Sequence, residues 1–426
     1  MLDVLNKKKV IKTNIILYTA GQIVSLFGTY IFNFFMSLYV LQVTGSALSF
    51  GLTFGISILP RIIFGPISGV VVDRLDRKKI IVSFDFLCGI IVLLFWGASS
   101  LWGLKNIFIY IATFLLSACN TLFNTALAAS IPNIVDDDGI VKVNSLRQMI
   151  DSAASVCAPF LGGILFSFID INFFIVINGV SFIFSAITEI FIRFDVNNNS
   201  YVDVQETNES EAISKSSHIS DFIDGVKYLK SQKWLINLCY FMFFFNSLII
   251  IGLVITLPYI TNEILGFSSE QYGILNTMYP LGLVIASLVY SKMAGDKNNN
   301  RRITKCIFIM SVSIFIMGLI ASQKMFTLSN LGYLSVFGVL YFIIGFAEAL
   351  VNVPIYILIQ KMIPNDKLGR VYSIIETLVL GLAPISSIVG GLLVEQISPW
   401  IIQIICGISM VLLTTLLKKV GKVYSA

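Results

Sequence analysis

Long apolar runs recur along the whole chain and are separated by short polar breaks. They fall at 14–41, 46–72, 80–99, 106–131, 144–168, 171–193, 235–258, 271–293, 304–322, 332–359, 371–394 and 399–417. A bilayer-crossing helix takes about 20 mostly apolar residues at a rise of about 1.5 Å each. The runs are continuously apolar and do not alternate, which argues against membrane β-strands. The pattern therefore predicts an all-α membrane protein with twelve transmembrane helices. The first run follows Lys7, Lys8, Lys9 and Lys12. It is too long for a secretory signal and lacks a small-residue cleavage site, so it reads as a span.

One polar break is long. Asn197 to Ser220 is rich in Asn, Ser and Glu and reads as a flexible segment. After it, Phe222, Val226 and Leu229 share one helical face while Lys227 and Lys230 lie elsewhere, as in a helix resting on the inner membrane surface. The break divides the chain into a first six-helix bundle, 1–194, a cytoplasmic linker with an amphipathic helix, 195–233, and a second bundle, 234–426. An internal repeat supports the division. A shift of 228 residues places Leu122 on Leu350, Asn124 on Asn352, Ile131 on Ile359, Val143 on Val371, Ser145 on Ser373, and Gly162 and Gly163 on Gly390 and Gly391. Two homologous halves with a site between them are a recurring transporter design.

Composition narrows the class. The 426 residues are 56% hydrophobic and only 12% charged, too few charges for a soluble surface of this size or a disordered chain. Charge placement sets topology. With the N-terminus inside, Lys105 and Lys324 fall outside and Arg61 falls within a span, while every other lysine and arginine falls inside. Both termini are thus expected in the cytoplasm of a bacterial-type plasma membrane. The net charge of +5 comes from these loops and gives no reason to expect nucleic acid. The six cysteines, Cys88, Cys119, Cys157, Cys239, Cys306 and Cys406, all lie in apolar runs without metal-ligand spacing, so they read as small hydrophobes. The single histidine, His218, lies in the polar break, and no phosphate-loop motif is present. Neither an enzyme site, a bound metal nor a cofactor is expected.

The most specific local motif runs Gly69-Val70-Val71-Val72-Asp73-Arg74-Leu75-Asp76-Arg77-Lys78-Lys79, in the turn after the second span. Gly69 would allow close approach of a helix. Asp73 would accept hydrogen bonds from a helix N-terminus, and Arg77 would pair with a carboxylate across a seam. Contacts of this kind, with Arg74 and Lys78 beside them, would gate a conformational change. A second motif, Ala154-Ser155-Val156-Cys157-Ala158-Pro159-Phe160-Leu161-Gly162-Gly163, combines a helix-kinking Pro159 with the small residues Gly162 and Gly163 for tight packing. The first motif resembles the loop signature of the major facilitator superfamily, and the second resembles a Pro-x-x-Gly-Gly element of its exporters, with Ala154 and Ala158 where glycines are usual. With Ala20 to Gln22, Phe64 to Pro66 and Leu368 to Val371, the chain looks most like the macrolide-efflux branch of the drug:proton antiporters. The resemblance implies the twelve-helix rocker-switch fold and proton-coupled export. The branch often carries an arginine in the fourth span. Leu115 to Asn120 contains none, so this chain departs from the usual coupling arrangement.

Ionisable residues inside spans are functional candidates. Arg61 lies about 18 Å from Asp73 along a helix and Glu348 about 20 Å from Lys361, both near mid-membrane. Arg61 is a substitute for the missing arginine or the permanent partner of a carboxylate. Asp151 is shallower, with Arg147 one turn away as a local partner. Asp85 and Glu189, near span ends, read as structural or snorkelling groups. Glu348 is the main proton or cation candidate, since no intramembrane histidine exists. The repeat maps it onto Asn120, and two such positions are expected to face one another across a cavity. The resulting expectation is a monomeric exporter of hydrophobic or cationic drug-like molecules, with protons and membrane lipids as its other partners. The alternatives are an exporter or flippase of a siderophore-like or lipid-like compound, and, in another class, a non-transporting membrane sensor.

Overall fold

The computed structural model describes residues 2–194, 227–292, 299–322, 327–363, 371, 374–375, 378 and 381–420. The long helices are α1 Leu2–Thr44, α2 Ala47–Arg74, α3 Arg77–Trp102, α4 Asn106–Ile134, α5 Asp137–Phe168 and α6 Ile171–Ile190. After the polar break come α7 Lys233–Ile249, α8 Ser269–Lys292, α9 Asn299–Ala321, α10 Asn330–Met362, α11 Ala383–Gln396 and α12 Pro399–Val420. Each corresponds to one apolar run. Among the described residues, α1–α4 and α6–α10 supply nine segments long and apolar enough to cross a membrane. The α5 helix opens with Asp137, Asp138, Lys142 and Arg147, and the described part of α11 is only 14 residues.

Polar residues in the breaks start the helices. Asp76 accepts from the Lys79 amide at the head of α3, Asp136 from Gly139 at α5, Asp170 from Asn172 and Phe173 at α6, and Ser329 from Gly332 at α10. Each side chain satisfies donors that the first helical turn leaves open. Gly45 and Gly266 adopt φ of 59° and 66°, a left-handed conformation costly for other residues, and turn the chain from α1 into α2 and from α7 into α8. Helix α1 starts well before its apolar run, because the lysine-bearing segment continues the same helix.

Helix α7 does not end at Ile249. It continues as a π-helix, Ile250–Ile255, one α turn, Thr256–Tyr259, and a second π-helix, Ile260–Ile264. Pro258 lies in the α turn and has no amide hydrogen to donate, and wide turns on either side absorb the interruption.

The described chain divides into two compact units. The first comprises 1–40 and 56–204, the second 41–55 and 205–426. In the first, one apolar cluster gathers Phe32, Phe35, Val92, Leu116 and Phe182, and another Tyr18, Ile81, Phe123 and Ile131. In the second, a single core runs through Leu253, Leu275, Ile314, Phe337, Ile344 and Met410. Leu229 is buried in that core. Beside it on the same helical turn Lys227 and Lys230 are exposed, while Phe222 and Val226 lie outside the described residues, as do Asn197–Ser220, Lys324 and Leu368–Arg370. Large apolar side chains such as Leu94, Phe184, Leu288 and Leu412 are exposed, an outer surface suited to lipid.

Within the second unit, the start of α2 lies directly against α11. A Cβ on Gly391 would sit 2.6 Å from Leu48 Cα, and one on Gly55 2.8 Å from Ser387 Oγ. Ser46 donates to Glu395 at 2.5 Å across the same contact. Gly391 and Gly390, which would meet Ile255 and Ile251 of the α7 segment, therefore pack as their small size predicts.

Candidate functional site

In the second unit, Glu348 projects from the middle of α10. Its Oε2 accepts a 2.6 Å hydrogen bond from the Tyr279 hydroxyl of α8, and its Oε1 a longer one, 3.4 Å, from Asn352 Nδ2 one turn on. The Tyr279 ring stacks on Tyr341 of α10, with centroids 5.2 Å apart and planes 30° from parallel. Tyr341 is buried, whereas Tyr279, Glu348 and Asn352 are half-buried. No lysine or arginine is among the described partners of this carboxyl group. The site thus joins one carboxylate to a pair of aromatic faces, a combination that attracts a proton or an organic cation.

The placement of Tyr279 depends on two glycines. A Cβ on Gly345 would overlap the Tyr279 carbonyl oxygen and lie 2.9 Å from its carbonyl carbon. A Cβ on Gly282 would overlap the Phe342 carbonyl oxygen and lie 2.7 Å from the Phe346 nitrogen. The α8 and α10 backbones are therefore in direct contact where Tyr279 meets Glu348. Close crossing through small residues is the usual device of membrane helices.

In the first unit, Asn120 of α4 donates through Nδ2 to Thr29 Oγ1 of α1, and its Oδ1 accepts from Asn124 at 3.0 Å. The shift of 228 residues turns Asn124 and Asn120 into Asn352 and Glu348, so the same i, i+4 contact occurs in both halves. The repeat is visible in hydrogen bonding as well as in sequence.

Asp151 of α5 accepts a 3.0 Å bond from the Tyr30 hydroxyl of α1. Arg61, exposed on α2, lies within electrostatic reach of that hydroxyl. The expected local pair of Arg147 with Asp151 does not form. Asp151 bonds α1 instead, and Arg147 lies within electrostatic reach of Tyr18.

The sequence pattern of the Major Facilitator Superfamily matches residues 18–379 and 239–423. The chain belongs to the Major Facilitator Superfamily. It is similar to the MFS-type transporter YfiS of Bacillus subtilis, 25% identical over 399 residues that cover 91% of this chain and 88% of that one. It is also similar to macrolide efflux protein A of Streptococcus pyogenes, 24% identical over 392 residues, 89% of this chain and 88% of the other. Among solved structures, a bacterial homologue of the iron transporter ferroportin in its inward-facing state superposes with a TM-score of 0.68 at 14% identity, covering 94% of this chain and 98% of its own. That likeness shows the fold, two pseudo-symmetric six-helix bundles in a multi-pass membrane protein.

The superfamily loop motif is held from within the first unit. Arg77 Nη1 donates to the Ala129 carbonyl and to Asn133 Oδ1 of α4, each at 2.8 Å. Arg74 is exposed and Lys78 half-buried, and the side chain of Asp73 lies outside the described residues. Among the described residues a Cβ on Gly69 would meet nothing within 4 Å, so the close helix approach expected there is not made by any of them. In the α5 motif, Gly162 packs as expected, with a Cβ position 2.6 Å from the Phe34 ring. Gly163 is buried beside it, and the Pro159 side chain lies outside the described residues.

Sequence reasoning singled out Glu348 as a candidate and did not anticipate the neighbours that surround it, Tyr279, Tyr341, Gly282 and Gly345. The glycines carried a signal. Each lies close to a tyrosine on the same helix (Tyr279 with Gly282, Tyr341 with Gly345). Of the two readings given for Asp85 and Glu189, structural or snorkelling, burial leaves the first: both are 1% exposed, so neither snorkels.

Proposed function

We propose that this membrane transporter exports hydrophobic, cationic drug-like compounds in exchange for protons, by alternating access of two bundles, 1–194 and 234–426, joined by the 195–233 linker. Both termini face the cytoplasm in this reading, as the distribution of lysine and arginine requires. The observation that carries it is the Glu348 carboxyl group, bonded by Tyr279 and Asn352 beside the stacked Tyr279–Tyr341 pair. A carboxylate in a low-dielectric site has to be neutralised, by a proton or by a cationic guest. The two occupants then compete for one group, which is the minimum chemistry of an antiporter. The tyrosine faces add attraction for an organic cation without selecting one shape. Asn120, Arg61 and Asp151 are the polar candidates within the first unit. The loop from Gly69 to Lys78 biases the conformational equilibrium, and a few kcal/mol suffices for such a bias.

The similarity to macrolide efflux protein A supports export of a bulky apolar compound. The second reading, a siderophore-like or lipid-like physiological substrate, shares the fold and differs in the guest. The test is efflux from a host stripped of its own exporters, with a panel of cationic dyes and macrolides, with and without an uncoupler. Uncoupler-sensitive export of cations supports the reading. Export confined to neutral or anionic compounds, or indifferent to the uncoupler, refutes it.

A further inference from the structure

A second pair of acidic residues is buried in the first unit, where α1, α3 and α6 meet. Asp85 of α3 and Glu189 of α6 are each 1% exposed and lie within electrostatic reach of one another. Asp85 Oδ1 accepts a 2.8 Å bond from the Ser25 hydroxyl of α1, and Ser25 Oγ lies 3.4 Å from Ser185 Oγ of α6. Asp85 Oδ2 and both oxygens of Glu189 are buried with no hydrogen-bond partner among the described residues. Glu189 is given its place by Gly21 of α1, where a Cβ would fall 2.7 Å from Oε1. The surrounding helices are closely packed. A Cβ on Gly89 of α3 would lie 2.9 Å from the Gly179 carbonyl oxygen of α6. The titratable group facing the pair is Cys88 of α3, which in turn meets Cys119 of α4. Tyr18 lies farther along α1, with Arg147 of α5 in its electrostatic reach. No lysine, arginine or histidine is among the described partners of either carboxyl group.

Two ionised carboxylates cannot share a dry site without a counter-charge, because each loses its hydration and repels the other. Three oxygens without partners mark where the neutralising species would bind. We propose that Asp85 and Glu189 form a proton-binding pair in the first unit, separate from Glu348, that holds one proton between them. With the proton bound, the pair carries a single negative charge, which the Ser25 hydroxyl stabilises at Asp85. Loss of the proton breaks an O–H bond, sends H⁺ to water and leaves two like charges that push α1, α3 and α6 apart. The pair therefore senses protons through helix packing and stands whether or not Glu348 carries the coupling proton.

The test is infrared difference spectroscopy between acidic and alkaline pH on the purified full-length protein. It is run on wild type, Glu348→Gln, the double variant Asp85→Asn/Glu189→Gln, and Gly21→Ala. The pair predicts a protonated-carboxyl band that shifts in D₂O, persists in Glu348→Gln, moves in Gly21→Ala and is lost in the double variant. A band of Glu348→Gln that survives when Asp85→Asn/Glu189→Gln is added to it, or the absence of any carboxyl band once Glu348 is replaced, overturns the proposal. If the double variant does not fold, carboxyl-labelled aspartate and glutamate in the Glu348→Gln protein take its place, and a spectrum in which neither label shifts a band overturns it. The same spectra are recorded in sodium chloride and in choline chloride. Displacement of the band by sodium alone makes this a sodium site and also overturns the proposal.

Discussion

Replacing Gly345 with alanine adds one methyl group where α8 and α10 touch. That methyl would overlap the Tyr279 carbonyl oxygen and lie 2.9 Å from its carbonyl carbon and 3.1 Å from its Cα. Carbon atoms rest comfortably at about 3.5–4.0 Å, so the two backbones must part by about 1 Å. Neighbouring backbone cannot rotate away as a side chain can, and overpacking of this kind costs about 1–3 kcal/mol. The same displacement stretches the 2.6 Å bond from Tyr279 to Glu348 to about 3.6 Å, which is no longer a hydrogen bond. A hydrogen bond to a charged group contributes about 1.5–3 kcal/mol, equivalent to roughly a 10- to 150-fold change in an equilibrium. Gly345→Ala should therefore lower the unfolding temperature of the purified protein and weaken cation binding at least tenfold. Gly97→Ala, where a Cβ meets open space, should do neither. Binding is read by fluorescence titration of a cationic dye and stability by thermal unfolding in the same detergent. A Gly345→Ala protein that matches wild type in both would refute the close crossing and its link to the site.

Three further outcomes are expected. Tyr279→Phe keeps the stacked ring but removes its hydroxyl, so dye binding should fall about 10-fold or more while the unfolding temperature moves little; equal binding would show that the 2.6 Å bond does not serve the guest. Arg77→Gln removes the fork that holds the Ala129 carbonyl and Asn133, so transport should fall with the protein still inserted, as measured by uptake and surface expression. Gly391→Val drives side-chain atoms into the α2 backbone at Leu48, so it should impair transport more than Gly69→Ala, compared side by side in the efflux assay.

The helices were legible in the sequence because a bilayer imposes a length and an apolar composition on every span. The repeat was legible because Leu122–Gly163 aligns with Leu350–Gly391 without gaps, and Asn124 and Asn352 make the same contact in both halves. Depth along a span follows from counting residues, which is how Glu348 was singled out as a candidate. The face of a helix was harder to read. In membrane spans both faces are apolar, so hydrophobic periodicity loses its contrast. Asp85 and Glu189 show the consequence, being near helix ends in sequence yet 1% exposed. A stripe did exist on α6, where Asn178, Phe182, Ser185 and Glu189 follow helical spacing and are all buried. Arg77 was expected to meet a carboxylate, and its described bonds run to a carbonyl and an amide of α4. The two π-helices of the α7 segment were unforeseen, since Pro258 predicts a disturbance but not its form.

The claim that Glu348 exchanges a proton for a cationic guest is tested most directly in proteoliposomes carrying an imposed pH gradient. Wild-type protein should accumulate a permanently cationic dye against its concentration gradient on the acidic side, and an uncoupler should abolish the accumulation. Glu348→Gln should still insert and bind neutral guests, yet accumulate nothing in response to the gradient. Accumulation by Glu348→Gln equal to wild type, or wild-type transport that ignores the pH gradient, would contradict the account.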